Sequence, residues 1–320
     1  MLGKFLDPKN DFAFKKIFGT DKHKDILIHF LNDVLRQSDD IKIVDVEFLS
    51  PIQDPEALAK KQSIVDVLCK DQNGRKYIIE MQVARTAGFE SRAQYYAAKA
   101  YAGQMGRGGK YENLKEVIFI AILDYELFPN KEHYKSNHTI RDDLSNERDL
   151  DGLRFVFVEL PRFNTKLEEL ATIMEKWCYF FKHAPETTAE ELTQLIKNEP
   201  IIKKAYDALD SYAWSEQDLM RYEQETKSEM DALAILRQGE FEGRLKGKAE
   251  GKAEGEKIGI EKGKVEGEKI GIKKGKAEGK IEGKMEGILE IASNMKKLGV
   301  GVEVIQQATG LTEKEIEKLG

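Results

Sequence analysis

The sequence predicts an α/β domain at the N-terminus and a helical extension at the C-terminus. Three observations support this fold class. Strand-like apolar runs alternate with amphipathic helical patterns over residues 1–185, polar helical patterns follow over residues 186–238, and glycine occupies every fourth position over residues 239–287. The order helix, three strands, helix, strand is typical of a small sheet covered by helices.

The strands and helices of residues 1–185 can be assigned from their periodicity. The strand-like runs are Ile43–Leu49, Ile64–Cys69, Tyr77–Val83, Val117–Leu123 and Phe155–Leu160. Helical spacing of apolar residues occurs in Asp25–Leu35, Ser91–Met105 and Thr165–Lys182. We therefore expect one sheet with amphipathic helices packed against it.

Composition restricts the class of protein. The two cysteines, Cys69 and Cys178, are too few for a disulfide framework, and no apolar run is long enough for a membrane span or a signal peptide. These features predict a cytoplasmic protein that does not enter a membrane. The net charge of −6 gives no overall attraction to nucleic acid, so a contact with DNA requires a local basic surface.

The segment Ser63–Val83 predicts a β-hairpin. Its two apolar runs are joined by a turn that contains Asn73-Gly74, and Asn-Gly between two strands is a strong hairpin signal. Each strand carries one acid near its middle, Asp66 in the first and Glu80 in the second. Successive side chains of a strand point to opposite faces, so the register of the hairpin decides whether the two acids meet.

The length of the turn sets this register. A three-residue loop with Gly74 in the left-handed conformation pairs Asp71 with Arg75, and counting back then sets Asp66 opposite Glu80. A two-residue turn shifts the pairing by one residue and puts the acids on opposite faces. A site formed by both acids therefore requires the longer loop or an equivalent bulge.

The two acids have two interpretations. They are outward-facing residues of an ordinary amphipathic hairpin, or they form a functional pair. Both neighbours of each acid are apolar, and a mid-strand acid in such surroundings needs a partner. Carboxylates facing each other across a strand pair repel, and a divalent cation removes that cost. The residues themselves leave both interpretations open.

At these positions the sequence resembles the Rpn family of recombination-promoting nucleases and transposases, in the PD-(D/E)XK superfamily. The resemblance covers about residues 5–185 and rests on Asp7–Phe18, Ser63–Asp66, Tyr77–Val83 and Arg92–Tyr96, together with Tyr101. It implies a PD-(D/E)XK restriction-endonuclease-like core, a mixed sheet flanked by helices, over residues 1–185. It also implies that Asp66 and Glu80 are ligands of a catalytic Mg²⁺ or Mn²⁺ ion.

One position departs from the family pattern, because Gln82 stands where the motif has a lysine. An amide can orient an attacking water or hold a phosphate, but it carries no positive charge. The resemblance implies a catalytic role for Gln82, with the missing charge supplied by Lys15, Lys16 or Arg92.

Other residues of the segments that carry the family resemblance have both a functional and a structural interpretation. Asp11 is a third catalytic carboxylate, as first-helix acids are in many superfamily members, or the N-cap of a helix over Phe12–Phe18. Arg92 and Tyr95, like the two lysines, are expected to bind nucleic acid. The alternative for Tyr95 and its neighbouring tyrosines is packing of their helix on the sheet.

The C-terminal part divides into three regions. Residues 186–238 form a helical region, and residues 239–287 form a repeat tract with 13 of the chain's 26 glycines, 13 Lys and Arg and 11 Glu. Thirteen mid-helix glycines cost a lone helix on the order of 13 kcal/mol, so the tract is either a spacer or a self-associating helix. Residues 288–320 predict a small helical module with a capping box at Thr312 and Glu315.

These features together predict a divalent-metal-dependent DNA endonuclease linked to recombination, mobile elements or phage defence. The alternatives are a catalytically inactive protein that binds nucleic acid or assembles through the same fold, and a ribonuclease. The tract predicts homo-oligomerisation. The resemblance adds regulation by a separately made C-terminal fragment, whose translation would start at Met230 or Met285.

Overall fold

The computed structural model describes residues 3–35, 42–53, 63–106, 108–197 and 199–320. The chain divides into two compact units, Met1–Ile235 and Leu236–Gly320. The first unit contains the predicted domain 1–185 together with the helical residues that follow it.

The first unit contains six strands of a main sheet, a separate two-stranded ribbon and the surrounding helices within its described residues. The strands are β1 (Val46–Phe48), β2 (Ile52–Gln53), β3 (Ser63–Ile64), β4 (Val67–Asp71), β5 (Lys76–Gln82), β6 (Val117–Leu123), β7 (Lys135–Thr139) and β8 (Leu153–Glu159). The helices are α1 (Asp11–Phe18), α2 (Lys24–Leu35), α3 (Phe89–Ala102), α4 (Ile173–His183), α5 (Ala189–Leu195) and α6 (Pro200–Leu209), and α7 (Glu216–Lys297) begins in this unit.

The main sheet has the strand order β1-β4-β5-β6-β8-β7. Strands β5, β6 and β8 run parallel, whereas β1, β4 and β5 pair antiparallel and β7 pairs antiparallel with β8. The central strand β6 has every residue buried, as expected for a strand covered on both faces. The mixed α/β fold is therefore as predicted.

Helices cover both faces of the sheet. Helix α3 packs on one face through small residues, with Ala93 and Ala97 against the layer that contains Ile78 and Phe119. Helices α1, α2, α4 and α6 cover the other face with an aromatic cluster that includes Phe14, Phe18, Phe30, Trp177, Phe180 and Phe181. Full burial of each such side chain contributes about 1.5–3 kcal/mol, so this cluster anchors the helical layer.

The structure differs from the prediction in two predicted elements and in one strand of the main sheet that was not predicted. The strand Ile64–Cys69 is interrupted, because its first residue belongs to β3 and β4 begins only at Val67. The helix over Thr165–Lys182 starts later, since Thr172 and Glu175 form a capping box that fixes its first turn. Strand β7 was not predicted, because its polar sequence carries little strand signal and pairs on one side only.

The second unit contains most of α7, which runs as one helix through the glycine tract. Helices α8 (Val302–Thr309) and α9 (Glu313–Glu317) pack with the last turns of α7 around Ala292, Ile305 and Ile316. The predicted capping box of Thr312 and Glu315 is confirmed. In the described chain, no helix combines the length and apolar character needed to span a bilayer.

Candidate functional site

The hairpin β4–β5 has the register that brings the two acids together. Lys70 lies opposite Lys76, and the Asp71 N–H donates to the Arg75 carbonyl at 2.9 Å. Gly74 has φ of 81°, the left-handed conformation that costs glycine least. The turn is therefore the three-residue loop, and the predicted register is confirmed.

Asp66 sits in the bend just before β4, outside the ladder. Its N–H donates to Glu80 Oε1 at 3.3 Å, and its own Oδ2 accepts the Met81 N–H at 2.9 Å. Because the bend releases the Asp66 N–H from strand pairing, this donor is available to the opposing carboxylate. The two acids thus meet through one hydrogen bond across the hairpin and a second to the next residue of β5.

Burial makes this pair of carboxyl groups costly to ionise. The Glu80 residue is 4% exposed, and the Asp66 side chain is 13% exposed. Burial and the neighbouring Asp66 charge raise the pKa of Glu80 to about 8. Burial raises the pKa of Asp66 to about 6, against the opposing effects of the Met81 N–H and Lys15. A cation bound by both carboxylates would compensate their negative charges and so favour their ionised forms.

Gln82 links Glu80 to a positive charge. Its Nε2 donates to Glu80 Oε2 at 3.2 Å, and its Oε1 accepts a hydrogen bond from the Arg92 guanidinium at 2.8 Å. Arg92 lies on the first turn of α3 with its guanidinium 5.0 Å from the centre of the Phe89 ring. The structure therefore brings Gln82 and Arg92 to the acid pair, with the amide oriented by a partner at each end.

Lys15 reaches the same pair from α1. Its Nζ lies 3.4 Å from Asp66 Oδ1 and 2.7 Å from both carboxylate oxygens of Asp11. Burial opposes the ammonium charge, but the Asp11 hydrogen bond and the two carboxylate charges leave the pKa of Lys15 above its ordinary value. Asp11 thus contacts Asp66 through the lysine.

The N-cap interpretation of Asp11 is wrong. Helix α1 begins at Asp11, and Asn10 caps it by accepting the Ala13 N–H at 3.1 Å. Asn10 is one residue earlier in the same motif, and its amide oxygen is an equally good acceptor for the first turn of a helix.

Lys16 and Tyr95 contact residues other than the acid pair. The Lys16 Nζ forms an ion pair with Asp218 at 2.6 Å and lies 4.6 Å from the centre of the Trp214 ring. Tyr95 is 45% exposed on α3 and contacts the Tyr96 ring. The packing expected of the tyrosines is observed for Tyr96 and Tyr101, which are partly buried against the core under α3, but not for Tyr95.

Two groups of residues that support the elements of the site were not predicted from the sequence. Asp71 is buried under the turn, where it accepts hydrogen bonds from the Arg75 N–H and guanidinium and from the Tyr77 hydroxyl. Its position at the start of an Asn-Gly turn was an available signal. Thr226 and Glu229 of α7 contact the start of α1, and no local motif marks them.

Comparison with known proteins fits this geometry. The family model described as PD-(D/E)XK nuclease family transposase matches residues 8–239. The chain belongs to this family. No curated protein and no solved structure gives a match. The family resemblance drawn from the sequence and the predicted fold class are therefore confirmed.

PD-(D/E)XK nucleases typically use divalent metals, and the acid pair suits one. Hard divalent cations prefer carboxylate oxygens, and Mg²⁺ commonly takes one or two carboxylates and completes its shell with water and phosphate. Across the described residues, no group of three or more His, Cys, Asp or Glu side chains is arranged to hold a metal. Asp66 and Glu80 are the two carboxyl groups that would hold such an ion.

Proposed function

We propose that this chain is a divalent-metal-dependent endonuclease that hydrolyses phosphodiester bonds in DNA. The observation that carries the proposal is the pair of buried carboxyl groups, Asp66 and Glu80, joined through the Asp66 N–H at 3.3 Å. Membership of a nuclease family supports the reaction class. Buried acids with strongly raised pKa values are otherwise a cost to folding, and such costs concentrate at functional sites.

Each residue at the site has a role in this proposal. Asp66 and Glu80 hold Mg²⁺ or Mn²⁺, which when bound lowers the pKa of a water molecule and neutralises phosphate charge. Gln82 fixes the orientation of Glu80 and positions the attacking water. Arg92 and Lys15 place positive charge on two sides of the acid pair, where the developing negative charge of the phosphate would lie.

DNA is the proposed substrate, although the chain carries a net charge of −6. Lys15 and Arg92 supply local positive charge next to the acids, and the exposed Tyr95 ring lies three residues further along α3. Lys16 is engaged by Asp218, so its predicted DNA contact requires exchange of that ion pair. We place the activity in the cytoplasm, in recombination, mobile-element movement or phage defence.

The test compares cleavage of supercoiled plasmid DNA by the wild type and by Asp66→Asn and Glu80→Gln. Each substitution keeps the size of the side chain but removes its charge, so we expect a loss of at least about 100-fold with Mg²⁺ or Mn²⁺. Asp143→Asn is the matched control, because Asp143 is exposed in a surface loop. Chelation of metal should abolish wild-type cutting. Equal cutting by wild type and both site variants would contradict the proposal.

The substitution of Gln82 for the family lysine favours an alternative, a binding or assembly protein that retains the fold without catalysis. That alternative predicts no cutting by wild type, together with DNA binding that survives Glu80→Gln. A parallel assay on single-stranded and structured RNA distinguishes a ribonuclease, which would cut RNA and leave the plasmid intact.

A further inference from the structure

The first turns of α7 hold the start of α1, and α1 carries the lysine that contacts Asp66. Asp218, Tyr222, Thr226 and Glu229 recur at intervals of three and four residues, so they lie along one side of α7. All four contact the segment from Asp7 to Lys16. This contact lies within the first compact unit.

The contact centres on the N-terminus of α1. Asn10, which is 3% exposed, caps α1 with its amide oxygen and donates from Nδ2 to Thr226 Oγ1 at 3.2 Å. The Thr226 hydroxyl donates to the Tyr222 carbonyl at 2.9 Å, so its lone pairs remain available to Asn10. The cap of α1 is thereby fixed to α7 by a buried side chain.

Glu229 holds the next residue of α1. Its Oε1 accepts the Asp11 N–H at 3.1 Å, which is one of the donors that a helix N-terminus leaves unpaired. On the other side of that backbone, the Asp11 carboxylate holds Lys15 at 2.7 Å, and Lys15 lies 3.4 Å from Asp66. A continuous series of polar contacts thus runs from Glu229 through Asp11 and Lys15 to Asp66.

We propose that Glu229, supported by Thr226, is a positioning residue for the nuclease site and sets the distance between Lys15 and Asp66. Glu229 binds the backbone N–H of Asp11, so its position fixes the residue whose carboxylate holds Lys15. The start of the helical extension is therefore part of the catalytic unit. This inference rests on the proposed function, because it takes Asp66 as a metal ligand.

The test uses the full chain with Glu229→Ala, Glu229→Gln and a matched control, Glu223→Ala. Glu223 is an exposed residue of the same helix. Glu229→Ala removes the acceptor for the Asp11 N–H, so we expect kcat to fall about tenfold with KM for DNA unchanged. Glu229→Gln retains an acceptor oxygen and should restore most of kcat, while Glu223→Ala should match wild type.

A second measurement is independent of cleavage. Hydrogen exchange of the Met81 amide reports on Asp66, because that amide donates to Asp66 Oδ2. We expect faster exchange in α1 and at Met81 in Glu229→Ala, but no further change at Met81 when Lys15→Met is already present, since the coupling runs through Lys15.

The outcomes separate this inference from the proposed function. Faster exchange confined to α1, with Met81 exchange and kcat as in wild type, would show a purely structural role and overturn the inference. A wild type that cuts no nucleic acid would overturn the proposed function alone, because the Met81 measurement still decides whether Glu229 positions Asp66.

Discussion

The charge balance at the acid pair depends on a few side chains from separate elements. Asp66 contacts one cation directly, Lys15, and Glu80 is linked through Gln82 to a second, the guanidinium of Arg92. Neither cation forms a close ion pair with Glu80 itself. Asp11 shares Lys15 with Asp66, so three carboxyl groups stand against these two cations, and a divalent ion bound at the acid pair would be electrostatically favourable.

Arg92 is expected to replace the charge of the family lysine. Arg92→Gln should lower the rate of DNA cleavage by at least about tenfold, because it removes a cation held near the reacting phosphate. Addition of Gln82→Lys to that variant should restore part of the rate. Arg141→Gln, in an exposed loop, is the matched control. If Gln82→Lys restores none of the cleavage rate, Arg92 contributes to cleavage by something other than its charge.

The acid pair also predicts how stability changes with pH. Burial raises the pKa of both carboxyls above their ordinary values, so the folded protein binds these protons more tightly than the unfolded chain. The protonated carboxyls therefore make their full contribution to folding stability at low pH. That contribution is lost as the pH rises through about 6 for Asp66 and about 8 for Glu80.

Without metal, the melting temperature of wild type should therefore fall relative to that of Glu80→Gln between pH 6 and pH 8.5. Only the wild type must ionise Glu80 over this range, and the comparison cancels the contributions of titrating groups remote from the acid pair. Mg²⁺ should raise the wild-type value more at pH 8.5 than at pH 6. Parallel melting curves for the two proteins would contradict the raised pKa.

At the scale of elements, the β4–β5 hairpin decides whether a site exists. Its three-residue turn sets an even register, and a one-residue slip would move every side chain of one strand to the opposite face. The buried Asp71 holds this turn through four hydrogen bonds, two to backbone N–H groups and two to the Arg75 and Tyr77 side chains.

Substitutions in the turn should separate its two stabilising features. Asp71→Ala leaves buried partners unpaired and should cost about 3–5 kcal/mol of unfolding free energy. Gly74→Ala should cost about 1 kcal/mol, because a side chain at φ of 81° is strained. Asn73→Ala, at an exposed position, is the control and should change little. Chemical denaturation measures all three, and a smaller loss for Asp71→Ala than for Gly74→Ala would contradict this account.

At the scale of the whole molecule, the long helix α7 contains the glycine tract. Among the described residues, a Cβ added at any tract glycine meets no atom within 4 Å beyond the adjacent backbone of its own helix. The tract's side chains are exposed, with surface pairs such as Lys246–Glu250 that contribute at most a few tenths of a kcal/mol. A helix with so many glycines gains little from its own residues, so self-association of the tract stays a prediction that needs a direct measurement.

The mass in solution tests this proposal. The full chain is expected to be oligomeric, and a chain truncated after residue 237 is expected to be monomeric. Replacement of Gly251, Gly255 and Gly259 by alanine should raise the helicity of the tract but weaken assembly, if close helix approach depends on them. Equal monomer masses for full and truncated chains would reject oligomerisation through the tract.

The sequence alone determined the fold class, most strands and the two acids, and it identified the register that a site formed by both acids requires. It could do so because strand periodicity and turn chemistry are local: the Asn73-Gly74 turn and the parity of Asp66 and Glu80 lie within 21 residues. The continuous strand Ile64–Cys69 was wrong, since the bend at Asp66 depends on its contacts with Glu80 and Met81.

Only the tertiary structure decided which cations belong to the site. Lys15 and Lys16 are neighbours in sequence, yet one contacts Asp66 and the other Asp218, because successive residues of a helix point in different directions. Tertiary structure likewise brought Glu229 to Asp11, across 218 positions of chain. No local pattern encodes such a contact, which exists only once the packed sheet and helices have fixed both partners.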